Sequence, residues 1–298
     1  MTTARAHAKS RVRKEEEITQ TDFDGESRRH RRITTSRAKA MAKALENYLK
    51  AEARKQIKII VTELRRKGIG SMATVRKGVD DWDDERLLRI LQLYGVRQIV
   101  DVGTEFAGSE WLFTPQAQAK FMADKGVQVQ GIRRNLEKEM RTSIGAALGT
   151  WMDKEPELTV QQVSRRLRDW LLVPQAKDTP PILKPLGQRF TSHGIGARAK
   201  MIARTEINQA RNRGRLEAGK ITGATHYMWL AMNDGLSGPR EHDALDGQVQ
   251  PAGSLFVNPS TGVELAYPGD PGADAEEIIN CRCSIRPLTA AQAADFGA

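Results

Sequence analysis

Ala203-Arg204-Thr205-Glu206, then Asn208 and Ala210-Arg211, open a stretch that runs through Trp229, Arg240-Glu241-His242 and Leu245-Asp246-Gly247. It ends in Tyr267-Pro268-Gly269-Asp270-Pro271 and Asn280-Cys281-Arg282-Cys283. Two textures meet in it. Helix formers dominate up to Gly219, and from there glycine, proline, β-branched and aromatic residues take over. The stretch predicts a helix over 197–218, then short strands at 225–231 and 254–257. It marks the junction between a helical chain and a small α+β end.

Upstream of the junction the apolar spacing is helical. Ala38, Met41, Ala42, Leu45, Leu49 and Ala53 form a narrow stripe in a helix placed at 27–66, with Ser27 as its N-cap and Gly68-Ile69-Gly70-Ser71 as its stop. A stripe that thin suits packing on a partner or another helix. The acidic run Asp80-Asp81-Trp82-Asp83-Asp84 suits a helix entry, with a helix over 87–94 and Gly95 as its stop. The β-branched run 99–102 reads as a strand or an extended link. Ile132, Leu136, Met140, Ile144 and Leu148 repeat every four residues within a helix placed at 115–147. A further helix fits 159–172, with Val160, Val163, Leu167 and Leu171 inward, and Thr159 with Gln162 as a capping pair. Four prolines in 174–185 read as a linker. The expected fold class is mainly α, with long helices in the N-terminal two thirds followed by a small α+β C-terminal domain. The expected units are a basic arm and helix (1–67), a helical region (68–173), a Pro/Gly-containing linker (174–196) and the α+β domain (197–298).

The charge is uneven. Of 47 Lys plus Arg and 37 Asp plus Glu, residues 1–67 hold 19 and 9, a net of +10; the remaining 28 of each cancel. Residues 1–26 carry almost no large apolar side chain and read as an arm that orders on a partner. Arg28, Arg29, Arg31, Arg32, Arg37, Lys39 and Lys43 cluster at the start of the first helix. A polycation at one end reads as a contact for double-stranded DNA or another polyanion, through counterion release, or as a solvated helix face. Aromatic residues at 5% argue against a wide base-stacking surface. No apolar run is long enough for a membrane span, and the N-terminus lacks the apolar core of a secretory signal. Two cysteines one residue apart do not readily bridge to each other, so a reducing compartment is expected.

Two constellations carry the chemistry. On a helix, Arg204, Asn208 and Arg211 share a face and could hold an anion. Otherwise they form a buried clamp to the C-terminal strands, with Glu206, Asp234 and Asp246 as carboxylate partners. His242, Cys281 and Cys283 offer three donors suited to Zn²⁺, with His226 and Asp246 as additions. The alternative is two buried thiols and a hydrogen-bonded histidine. Phosphate-loop, nucleophile-elbow and zinc-protease motifs are absent. The Tyr-Pro-Gly-Asp-Pro corner is turn chemistry, with Asp270 placed to anchor Arg282 or Arg286.

In their order and rough spacing, over about 197–288, these blocks resemble the phage Mu F-like minor head proteins, also called phage head morphogenesis proteins. The resemblance implies a non-enzymatic protein of a tailed double-stranded DNA phage, in the capsid interior near the portal vertex and in the host cytoplasm during assembly. It implies the portal protein and the major capsid or scaffold protein as partners. It also implies His242, Cys281 and Cys283 as metal ligands, and it carries Arg204, Glu206 and Asp246 as matched positions. A metal-dependent hydrolase acting on nucleic acid or cell wall is the alternative, since three protein ligands and a water make a hydrolytic zinc.

Overall fold

The computed structural model of the chain describes residues 20–68, 82–108, 113–172, 192–232 and 241–298, with side chains from residue 35 in the first helix and from 194 in the fifth. Long helices fill the first two thirds: α1 (Gln20–Lys67), α2 (Asp84–Ala107), α3 (Pro115–Lys154), α4 (Val160–Leu172) and α5 (Ser192–Ile221). The C-terminal part then forms β1 (His226–Leu230), a 3-10 turn at His242–Leu245, β2 (Val249–Pro251), β3 (Phe256–Val257), β4 (Glu264–Leu265), α6 (Ala275–Ile278), β5 (Ser284–Leu288) and α7 (Ala290–Ala294). The mainly α class with a small α+β end is what the sequence patterning predicted. Residues 20–26, read as part of an arm, are helical; residues 1–19 and 174–191 lie outside the described set.

The stripe on α1 runs further than expected. Met41, Leu45, Tyr48, Leu49, Ala53, Ile57, Ile60 and Leu64 are all buried, against α5, α4 and α2. Together with Leu87 and Leu91 of α2, Leu136, Met140 and Ile144 of α3, and Val163 and Leu167 of α4, they form the main core. Helix α5 is buried nearly all round and meets α1, α2, α4 and β5, so the rest of the molecule is built on it.

Two readings of α2 are corrected. Gly95 does not stop a helix, and 99–102 is neither strand nor extended link; α2 continues to Ala107. Its apolar ridge runs on through Leu87, Leu91, Gly95, Gln98, Ile99 and Val102, which are buried. Gly95 serves close packing, because a Cβ there would stand 2.6 Å from Cζ of Phe121 on α3. Gly214 of α5 does the same job against α2, with Ile99 O 3.1 Å from where its Cβ would be. The helix stops at Gly108, whose φ of 76° favours glycine.

Helix ends otherwise follow their caps. Asp83 Oδ1 accepts from Arg86 N at 2.9 Å, with Asp84 and Glu85 in the first turn. Thr114 caps α3, which runs seven residues beyond the expected 147, carried by Ala147, Leu148 and Trp151 on its buried side. Trp151 meets Trp170 of α4 edge-on at 6.2 Å. Thr159 and Gln162 form the expected capping box at the start of α4. Helix α5 begins at Ser192, five residues earlier than expected and inside the segment read as linker.

The C-terminal part holds an antiparallel sheet of order β2-β1-β5 and the hairpin β3-β4. Strand β5 carries Pro287 within it. It is an edge strand, opposite Tyr227 in β1, where a missing N–H is tolerated. A second core of Tyr227, Trp229, Leu245, Phe256, Leu265, Tyr267, Cys281, Cys283 and Ile285 lies under it. Among the described residues no helix is long and apolar enough to cross a membrane.

Candidate metal centre and the clamp that frames it

Strand β1 and the two loops beside it place the centre. Beyond β1, Asp246 Oδ1 accepts from Ala231 N at 2.7 Å and Gly247 N donates to Trp229 O at 2.9 Å. These bonds fold the His242–Leu245 turn back onto the strand. From the other side α6 ends, and Cys281 N donates to Ile278 O at 3.1 Å. Asn280 takes a left-handed φ of 64°, a conformation asparagine tolerates better than most. It is held there by its N–H on Thr205 Oγ1 (3.0 Å) and its side-chain oxygen on Arg204 Nη1 (3.2 Å).

His242, Cys281 and Cys283 thereby converge. His242 Nδ1 lies 3.6 Å from Cys281 Sγ and 3.7 Å from Cys283 Sγ, and all three side chains are 1–2% exposed. A tetrahedral zinc about 2.0–2.1 Å from a nitrogen and about 2.3 Å from a sulfur sets that pair roughly 3.6 Å apart, so the spacing fits. The other ring nitrogen, Nε2, meets Glu277 Oε2 at 2.7 Å, and Asn258 Nδ2 approaches the same oxygen at 3.4 Å. Carboxylate–histidine pairs of this kind fix the imidazole tautomer behind a metal. Trp229 closes one side, with its ring edge-on to His242 at 5.3 Å. Cys281, His242 and the Met232 backbone N–H favour the Cys283 thiolate and hold its pKa well below the usual thiol range, although burial opposes this. Burial alone would lower the His242 pKa; Cys283 and Glu277 outweigh it and raise it. Among the described residues His242, Cys281 and Cys283 are the cluster whose donor atoms converge within 4.8 Å. His226 bonds Thr225 Oγ1 at the start of β1, and Asp246 serves the turn, so neither joins it.

Among the described residues the clamp binds backbone carbonyls. Asn208 Nδ2 donates to Cys283 O (3.1 Å), and Asn212 Nδ2 to Cys283 O (3.0 Å) and Pro268 O (2.9 Å). Gln209 Nε2 donates to Gly269 O at 2.8 Å, and Arg215 Nη1 to Ile285 O at 2.9 Å. One face of α5 thus holds the backbone of the 268–285 segment, including the carbonyl of a candidate ligand. Glu206 turns the other way, onto the buried ammonium of Lys125 in α3, which also bonds Gln209 and, at 2.6 Å, Gln128. Arg211 is buried, while Arg204 is exposed beside Asn280. Asp270 accepts from the backbone N–H groups of Ala266 (2.8 Å) and Gly272 (3.0 Å), shaping its own corner. Asp234 and Arg240 lie outside the described residues.

Glu277, Asn258, Lys125, Gln209, Asn212 and Arg215 were not anticipated. Asn208, Asn212 and Arg215 are at helical spacing and could have been grouped. Their carbonyl partners have no side-chain signature, and Glu277 is 35 residues from the histidine it meets.

Residues 158–286 match the family model described as Phage Mu protein F like protein. This segment is Mu F-like. The Mu F-like family is one of structural head morphogenesis proteins, not of enzymes, and the hydrolase alternative gains no support from it. The match takes in α4 and all of α5, so it begins earlier than the resemblance over 197–288, and it contains the whole metal-centre cluster and the α5 side of the clamp. Lys125 lies before it. No curated protein and no solved structure matches the chain.

Of the basic residues singled out, Arg28, Arg29, Arg31 and Arg32 lie on α1, with side chains outside the described set. Arg37 is held by Asp101 of α2 in an ion pair. Lys39 and Lys43 are exposed.

Proposed function

We propose that the protein is a minor head protein of a tailed double-stranded DNA phage, bound inside the capsid near the portal. There it contacts the portal protein or the capsid and scaffold proteins, and its basic N-terminal helix contacts DNA. The match of residues 158–286 to a head morphogenesis family carries this reading. The interior chemistry agrees with it, because the particular polar residues of that segment are spent on holding α5 to the 268–285 backbone. The test is co-sedimentation with heads assembled from the phage's portal, scaffold and capsid proteins. Retention in the head fraction, lost when the portal is omitted, is the expected result. A chain that stays soluble while heads form normally without it overturns the proposal.

Within this role His242, Cys281 and Cys283 supply three ligands to a structural zinc, with Glu277 orienting the histidine. The ion would cross-link the turn before β2 to the entry of β5, adding a metal tie to the apolar core that these segments share. A catalytic zinc keeps an open position for substrate, whereas these donors and Glu277 are all at 4% exposure or less. The full chain purified without chelator should carry about one zinc per molecule and melt lower in chelator. Absence of zinc with unchanged melting removes the metal reading and leaves the head-protein reading standing.

A further inference from the structure

The cationic side of α1 does not end with the Arg28–Lys43 cluster but continues along the helix to its last turn. Between residues 35 and 67 there are ten Lys or Arg and three Glu, a net of +7. The three glutamates offset little of the outer face. Glu52 is buried, Glu46 is bonded to Lys50 at 2.5 Å and stands 3.9 Å from Lys43, and Glu63 is bonded to Arg66 at 2.9 Å with Lys67 at 3.3 Å. Lys39, Arg54, Lys58 and Arg65 are exposed, and no carboxylate pairs with them among the described residues. With Lys43 they follow the side of the helix away from the core and span about 39 Å at about 1.5 Å per residue. Among the described residues the large exposed apolar side chains are Leu93, Val100, Val127, Ile221, Leu255, Val257, Ile279 and Phe296; none is on α1 between residues 35 and 67. Protein-docking surfaces centre on apolar or aromatic anchors, and this face has none. Single-strand binding needs stacking rings, which are also missing here.

We propose that Lys39, Lys43, Arg54, Lys58 and Arg65 form a sequence-independent track for the phosphate backbone of duplex DNA. This rests on the DNA-contacting reading of the N-terminal helix and extends it to the folded body of the protein. Backbone recognition of this kind needs only positive charge spread along a rigid support, and a helix packed along its other side on α5, α4 and α2 provides that.

The test uses the full chain and a labelled random-sequence duplex, with the affinity followed against salt by fluorescence anisotropy. Each phosphate contact contributes about 0.9 to the log–log salt slope. The variant Arg54→Ala/Lys58→Ala/Arg65→Ala should therefore lose roughly 2 to 3 from the slope and bind at least tenfold more weakly at low salt. Its melting should stay close to that of the parent, since alanine is a good helix former at exposed positions. A slope unchanged by the triple variant but reduced on deleting residues 1–34 overturns the track and leaves DNA contact to the N-terminal segment. Absence of duplex binding by the parent chain overturns both. Loss of portal or capsid binding in the triple variant, with its DNA slope intact, assigns the face to a protein partner and also overturns the track.

Discussion

Replacing Lys125 by methionine isolates one buried charge. The ammonium is 2% exposed and holds three acceptors: Glu206 and Gln209 of α5, and Gln128 of its own helix. Methionine fills the aliphatic volume and removes the cation, so the Glu206 carboxylate stays in an apolar setting, at 9% side-chain exposure, without its counter-charge. The loss should fall in the range of about 3–5 kcal/mol seen when one partner of a buried pair is removed. Adding Glu206→Met should bring stability back to within about 1 kcal/mol of the parent. Urea denaturation of the parent, the two single variants and the double variant at pH 7 measures the cycle. A Lys125→Met protein within about 1 kcal/mol of the parent, or a double variant no more stable than that single variant, refutes a buried, charge-paired Lys125.

Three further perturbations test other parts of the structure. Glu277→Gln keeps the shape but weakens the hold on His242 Nε2, and zinc affinity measured by competition with a chelating dye should fall about 10- to 100-fold. Unchanged affinity would remove Glu277 from the metal's support. Asn212→Ala strands Pro268 O and Ile285 N in the interior and leaves Cys283 O with Asn208 alone, and denaturation should show a loss of about 2–4 kcal/mol. Gly95→Ala forces its Cβ against the Phe121 ring and should cost about 1–3 kcal/mol, despite the better helix propensity of alanine. Phe121→Leu in the same chain should recover part of the loss, and a stabilised Gly95→Ala protein would show that α2 and α3 do not pack as described.

Local sequence determined the helices and much of their ends, because apolar spacing and cap chemistry act within a few residues. Thr159 with Gln162, Asp83 before α2, and the ridge from Leu136 to Leu148 are of this kind. It also placed two cysteines and a histidine where a metal reading was possible, and its five blocks pointed to the family that residues 158–286 match. Tertiary structure decided what those residues meet. Gly95 looks like a stop until Phe121 from another helix lies against it, and the run 99–102 looks extended until its buried residues join the packed side of α2. Glu206 was read with the arginines of its own helix, yet its partner is a lysine 81 residues earlier. Asn208, Gln209 and Asn212 bind backbone carbonyls, groups every residue carries and no sequence pattern marks. Periodicity reports which face of an element is buried. Which groups lie across that interface depends on how distant segments pack, and that is where Glu277 reached His242 and the first helix was left with a cationic outer side.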